Sequence, residues 1–139
     1  MDESTASFHL VSLLSAVVDD DELVREALAR LLRSNGMDSK GYGSADAFLD
    51  VGRCRTPDCL VLDIQMPEIS GLALQELLAA EGEVIHTICM SAYENNAVRD
   101  RALGLGAVAF LSKPFSDQVL FDAIAIALAR HARDKEAGA

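Results

Sequence analysis

Asp19 and Asp20, Asp63, Ser91 and Lys113 share one kind of position: each stands at or just beyond the end of a short apolar run. The runs are Leu13 to Val18, Cys59 to Leu62, Val84 to Met90 and Val108 to Leu111. If folding brings the carboxylates of Asp19, Asp20 and Asp63 together, two of them about 4 Å apart repel by roughly 4 kcal/mol at an effective dielectric near 20. A hard divalent cation offsets that repulsion, and Mg²⁺ takes carboxylate oxygens while leaving positions open for phosphate oxygens. Lys113 adds a fixed positive charge. A carboxylate between a metal and a lysine can attack a phosphoryl group as an aspartyl-phosphate nucleophile, with Ser91 donating to a transferring oxygen. Each residue alone has a plainer account. Acids at a helix start favour its positive end, which explains one or two of Asp19-Asp20-Asp21-Glu22, and lysines are mostly solvated. The joint pattern carries the chemistry.

The elements that must position these residues alternate regularly. Leu13 to Val18 suits a strand buried on both faces. From Asp21 to Asn35, Val24, Leu28, Leu31 and Leu32 recur at helical spacing, with Gly36 available as a left-handed cap. Asp38 to Tyr42 reads as a short strand, and Ser44 caps a short helix bearing Ala45, Phe48 and Leu49. The strand Cys59 to Asp63 leads through a loop with Pro67 and Gly71 to a third helix, Leu72 to about Glu81. A strand over Val84 to Met90, a fourth helix over Ala97 to Leu105, a strand over Val108 to Leu111 and a fifth helix that follows Ser116 and runs to about Ala132 complete the series. Such alternation predicts an α/β fold of three layers, a doubly wound five-stranded parallel sheet with helices on both faces. In the flavodoxin-like strand order 2-1-3-4-5 the chain reverses between strands 1 and 3, where ligands bind beyond the carboxyl ends. That places Asp19 and Asp20 beside Asp63.

The 139 residues, half of them apolar, suffice for one core, taken here as residues 11–132 between a flexible extension over residues 1–10 and a polar tail over 133–139. A formal charge of −10 argues against direct binding to nucleic acid or to anionic membranes and leaves basic protein partners open. The apolar stretch Phe8 to Val18 is too short to span a bilayer and follows Asp2 and Glu3 instead of a positive n-region, which points to a cytoplasmic protein. Cys54, Cys59 and Cys89 lack metal-ligand spacing and read as small apolar residues in a reducing compartment.

From Leu13 to Ala132 these motifs resemble the receiver domains of two-component response regulators. The resemblance rests on Asp19-Asp20 behind an apolar strand, Leu60-Val61-Leu62-Asp63-Ile64-Gln65-Met66-Pro67 with Gly71, Met90-Ser91-Ala92, and Phe110-Leu111-Ser112-Lys113-Pro114-Phe115. It implies that Asp63 is the phosphoacceptor, and that Asp20, Asp63 and the backbone carbonyl of Gln65 bind Mg²⁺ with Asp19 in the outer shell. Ser91, Ala92 and Lys113 would contact the phosphoryl group. Ser91 and Phe110 would form the switch. Phe110 replaces a frequent tyrosine and can signal only by packing. The Lys113-Pro114 bond is expected to be cis. Gln65 and Tyr93 stand where family members tune phosphate loss, and neither is acidic, so self-dephosphorylation is expected to be slow to moderate.

The implied partners are a sensor histidine kinase or histidine phosphotransfer protein, a downstream protein target, and a second copy through the fourth helix, fifth strand and fifth helix. The expected protein is a stand-alone regulator and not a conventional enzyme. Two alternatives are the receiver part of a longer DNA-binding regulator and an unphosphorylated interaction module. A haloacid-dehalogenase-type phosphohydrolase fits less well, since Gln65 stands where that family carries a second aspartate. A nucleotide or flavin site would need glycines or hydroxyls where Asp19-Asp20-Asp21-Glu22 stands, and acids repel phosphate.

Overall fold

The computed structural model describes residues 13–51, 56–93 and 95–138. The lead-in from Phe8 to Ser12, the extension over residues 1–10 and Cys54 lie outside them. Among the described residues five strands alternate with five helices: β1 Leu14–Val18, α1 Glu22–Ser34, β2 Asp38–Tyr42, α2 Ala45–Val51, β3 Cys59–Asp63, α3 Gly71–Ala80, β4 Thr87–Ser91, α4 Asn96–Gly104, β5 Ala109–Ser112 and α5 Asp117–Gly138. The sheet is parallel, in the order β2-β1-β3-β4-β5.

The continuous apolar runs form β1, β3 and β4 because each is covered on both faces. Alternate side chains divide between two layers. Val17, Val61, Ile88 and Met90 pack with Leu28 and Leu32 of α1 and Leu120 and Ile124 of α5. Ala16, Val18, Leu60 and Leu62 pack with Phe48 of α2 and Leu74 and Leu78 of α3. Cys89 packs with Ala102 of α4. Burial pushes the Cys59 thiol up to about 11 and the Cys89 thiol to about 12, so both stay protonated and behave as core residues.

Helix starts follow the capping side chains. The Asp21 carboxylate accepts from the N–H groups of Leu23 and Val24, Ser70 accepts from Ala73, and Asn95 accepts from Val98. Asp21 is thereby committed to the helix, which separates it from its neighbours Asp19 and Asp20.

Two elements differ from expectation. The run from Val84 predicts a strand starting there, yet β4 begins at Thr87 and Val84 is 71% exposed. The neighbouring strand sets that limit: Thr87 pairs with Leu60, near the start of β3, and β3 offers no ladder for Val84. The polar segment from Arg133, expected to trail as a tail, continues α5 to Gly138. Its apolar stripe fades near Ala132, but Arg133-Asp134-Lys135-Glu136-Ala137 has no β-branched residue or proline to break the helix. Asp134 within it lies 2.9 Å from His86 Nε2 at the base of β4.

Candidate functional site

The register delivers the polar strand ends to one edge of the sheet. Val18 pairs with Leu62, Asp63 with Met90, and Ser91 with Ser112, so Asp19, Asp63, Ser91 and Lys113 emerge side by side. The ladder runs on past the strands, with Ile64 N–H donating to Met90 and Lys113 N–H to Ser91. Oxygens of Asp19, Asp20 and Asp63 lie within 4.8 Å of one another. Asp19 and Asp63 are buried and Asp20 is exposed, so the cluster opens toward solvent through Asp20.

Asp19 N–H donates to the Tyr42 carbonyl at 3.1 Å, and three further contacts hold the residue. Its Oδ1 accepts from Asp21 N–H at 2.9 Å, its Oδ2 accepts from Lys113 Nζ at 2.9 Å, and its backbone carbonyl accepts from Arg25 Nη1 at 2.8 Å. Lys113 Nζ lies 3.6 Å from Asp63 Oδ1. The Lys113–Pro114 peptide is cis. Asp63 Oδ1 accepts from Gln65 N–H at 3.2 Å. Burial, followed by the charge of Asp19, pushes the Asp63 carboxyl up from 3.8 to about 6; Lys113 and the Gln65 N–H oppose that rise, and Asp20 adds to it. The nearby acids therefore outweigh the lysine. A cluster of oxygen donors with excess negative charge fits a hard divalent cation such as Mg²⁺.

Backbone geometry sharpens the loop after β3. A Cβ at Gly71 would sit 2.5 Å from the Asp63 carbonyl oxygen and 2.8 Å from Ile64 Cα, so only glycine lets the start of α3 close against the aspartate's own backbone. Gly71 N–H donates to Ile64 O at 3.0 Å across that contact.

On the opposite side of the pocket, Ser91 Oγ donates to the Tyr93 carbonyl at 3.0 Å and accepts from Tyr93 N–H at 3.1 Å. The hydroxyl is engaged with its own loop. Ala92 N–H donates to the side-chain oxygen of Gln65 at 3.2 Å, linking the loops after β3 and β4. Ala92, Gln65 and Tyr93 are exposed at this rim. Phe110 is half-buried on β5 and packs against the cluster of Ile64, Cys89, Ala102 and Ala107.

Asp19, Asp20, Asp63, Gln65, Ser91, Ala92, Tyr93 and Lys113 thus meet at one end of the sheet, while Phe110 sits farther down β5, opposite Cys89 in the middle of β4. Two contributors were not legible in the sequence. Arg25 has the spacing of an ordinary helix cation, and only the fold turns it onto the Asp19 carbonyl. The Gln65 side chain meets Ala92 across 27 residues of sequence. The motif Pro67 to Gly71 was a signal for a turn, but the contact that demands glycine is tertiary.

Residues 16–125 match the family model described as response regulator receiver domain. The chain is similar to the response regulator protein TmoT of Ectopseudomonas mendocina, 44% identical over 121 residues covering 86% of this chain and 54% of that protein. It is similar also to the transcriptional regulatory protein FixJ of Azorhizobium caulinodans, 42% identical over 87% of this chain and 57% of that protein. The chain therefore spans about half the length of these relatives. Among solved structures, response regulator StyR superposes with a TM-score of 0.85 at 40% identity, covering 91% of this chain and 64% of that one. FixJ-N superposes with a TM-score of 0.79 at 34% identity, covering 86% and 95%.

Proposed function

The chain belongs to the response-regulator receiver family, and from that membership we propose that Asp63 accepts a phosphoryl group from the phosphohistidine of a sensor kinase or histidine phosphotransfer protein. A carboxylate oxygen of Asp63 forms the new O–P bond as the P–N bond of the phosphohistidine breaks, and the departing imidazole keeps the electron pair. The observation that carries this reading is the convergence of Asp63 with Asp19, Asp20 and Lys113 at one strand-end edge. Asp20, Asp63 and the Gln65 backbone carbonyl would hold Mg²⁺ with Asp19 behind them, and the ion when bound supplies neutralising charge for the transferring oxygens. Lys113 adds charge on the same oxygens, and Ser91 Oγ and Ala92 N–H supply hydrogen bonds once released from Tyr93 and Gln65. Gln65 and Tyr93 offer no carboxylate to orient a hydrolytic water, so loss of the phosphoryl group by self-dephosphorylation is slow to moderate.

Movement of Ser91 toward the phosphoryl group opens room for Phe110 to turn inward, altering the face made by α4, β5 and α5. That face then engages a protein target or a second copy of the chain. The domain acts in the cytoplasm and makes no direct contact with nucleic acid, in keeping with its net charge. The length of the relatives favours a second reading of output, in which the receiver is joined to an effector domain like that of a transcriptional regulator. The mass of the native gene product separates the two.

Incubation with acetyl phosphate and Mg²⁺ tests the chemistry. Intact-mass spectrometry should show one added phosphoryl group in the wild type and none in Asp63→Asn. No gain in the wild type, or a gain that persists in the variant, would overturn the assignment.

A further inference from the structure

Asp19 has every polar group engaged. Its N–H donates to the Tyr42 carbonyl at 3.1 Å, Oδ1 accepts from Asp21 N–H, Oδ2 accepts from Lys113 Nζ, and its carbonyl accepts from Arg25 Nη1 at 2.8 Å. The last bond departs from the pattern of the sheet. In a parallel ladder, a residue whose N–H reaches Tyr42 O offers its own carbonyl to the N–H of Ser44. Here β2 ends at Tyr42 and Ser44 starts α2, its hydroxyl accepting from Ala47 N–H, so the Arg25 guanidinium takes the place of the next strand donor. Two glycines leave it a path. A Cβ at Gly41 would lie 3.4 Å from Arg25 Cδ and one at Gly43 would lie 3.2 Å from Arg25 Nη1, so the side chain crosses the end of β2 over bare backbone.

Asp20 stands on the other half of the same peptide unit, since the Asp19 carbonyl and the Asp20 N and Cα share one plane. It is exposed, and its carboxylate accepts no hydrogen bond among the described residues, so its backbone sets its direction. We propose that Arg25 is a positioning residue for the cation site: its grip on the Asp19 carbonyl fixes that plane and so aims the Asp20 carboxylate at Asp63. This inference rests on the reading in which Asp20 and Asp63 hold Mg²⁺. The sign of the effect separates it from two plainer roles. A guanidinium acting only through its charge repels a cation, and its removal would tighten Mg²⁺ binding. One acting only as a staple between α1 and β1 would change stability and leave Mg²⁺ binding alone. Positioning predicts weaker binding although a positive charge has been taken away.

Titration with MgCl₂ followed by ¹H–¹⁵N spectra of the whole chain tests this, with urea unfolding in EDTA alongside to read any stapling role. Arg25→Met keeps the stem over Gly41 and should raise the Mg²⁺ midpoint about three- to tenfold, the worth of one net hydrogen bond. Arg25→Lys restores a donor and should fall between the wild type and Arg25→Met. Gly43→Val should push the guanidinium off the carbonyl with its charge intact; it should weaken Mg²⁺ binding likewise, and it serves where Arg25→Met does not fold. Unchanged or tighter Mg²⁺ binding in Arg25→Met, or in Gly43→Val where it stands in, would overturn the proposal. Asp20→Asn in the same series reads the cation site itself. A wild-type response that Asp20→Asn weakens and Arg25→Met does not would overturn the positioning role alone. No saturable response in the wild type would overturn the cation reading and the positioning role with it.

Discussion

Lys113 is held by Asp19 more closely than by Asp63: its Nζ lies 2.9 Å from Asp19 Oδ2 and 3.6 Å from Asp63 Oδ1. The buried aspartate at the end of β1 thus holds the lysine over the pocket, and Asp63 keeps a charge that the lysine only partly compensates. Burial and then the charge of Asp19 raise the pKa of Asp63 to about 6, and the lysine, drawn toward Asp19, opposes that rise only in part. That balance makes the pocket receptive to further positive charge.

The first consequence concerns stability without metal. Because the folded-state pKa of Asp63 lies above its ordinary value, the folded chain binds that proton more tightly than the unfolded chain. Stability is therefore greatest below about pH 4 as far as this group is concerned, falls as pH rises from 3.8 toward about 6, and is level above. The difference corresponds to about 3 kcal/mol. Asp63→Asn should be more stable than the wild type by up to that amount at pH 7 in EDTA, and the gap should close by pH 4. Urea unfolding at the two pH values checks this; an asparagine variant less stable at pH 7 would refute the account.

Added Mg²⁺ should reverse part of that penalty. Ionised Asp63 is the form a cation binds, so the rise in Tm with MgCl₂ should be clear at pH 7.5 and small at pH 5. Asp20 is exposed and its replacement should leave the fold intact. Asp20→Asn should weaken the Mg²⁺ response by about tenfold in concentration, equivalent to about 1.4 kcal/mol. An unchanged midpoint in that variant would remove Asp20 from the metal site.

How much of this was legible in the sequence depends on which residues are asked. Leu60-Val61-Leu62-Asp63 announces both its strand and its acid because a strand buried on both faces admits only apolar residues until it reaches its polar end. β2 signals weakly, since an edge strand running Asp38-Ser39-Lys40-Gly41-Tyr42 buries little and takes its pairing from β1. The start of β4 and the end of α5 are set by neighbours, by Leu60 opposite Thr87 and by helix formers that need no apolar stripe. At the site, residue types gave the chemistry, whereas the grip of Arg25 on the Asp19 carbonyl arises only when α1 folds back over β1 and β2.

Gly71 offers a test of how tightly the loop holds Asp63. An added methyl would meet backbone atoms of Asp63 and Ile64 that cannot rotate away. Gly71→Ala should cost about 1–3 kcal/mol by overpacking and should slow acetyl phosphate labelling of Asp63 as its backbone shifts. Denaturant midpoints and labelling rates measure the two effects. Wild-type values for both would mean that α3 can start elsewhere without disturbing the acid.

The contact between Gln65 and Ala92 makes the last prediction. Gln65 Oε1 accepts the Ala92 N–H, a donor that the phosphoacceptor reading assigns to a phosphoryl oxygen. Before phosphorylation the glutamine therefore occupies one of the bonds that the product requires. Gln65→Ala leaves Asp63, Lys113 and Ser91 in place and exposes the N–H to solvent, from which it is recruited more readily. One net hydrogen bond is worth about 0.5–1.5 kcal/mol, so labelling by acetyl phosphate should accelerate by about two- to tenfold. Ser91→Ala, which removes a donor without releasing one, should slow the same reaction. Quenched-flow labelling followed by intact mass would compare the two variants. Slower labelling in Gln65→Ala would show that the glutamine assists transfer, and the competition between its side chain and the phosphoryl group would then be wrong.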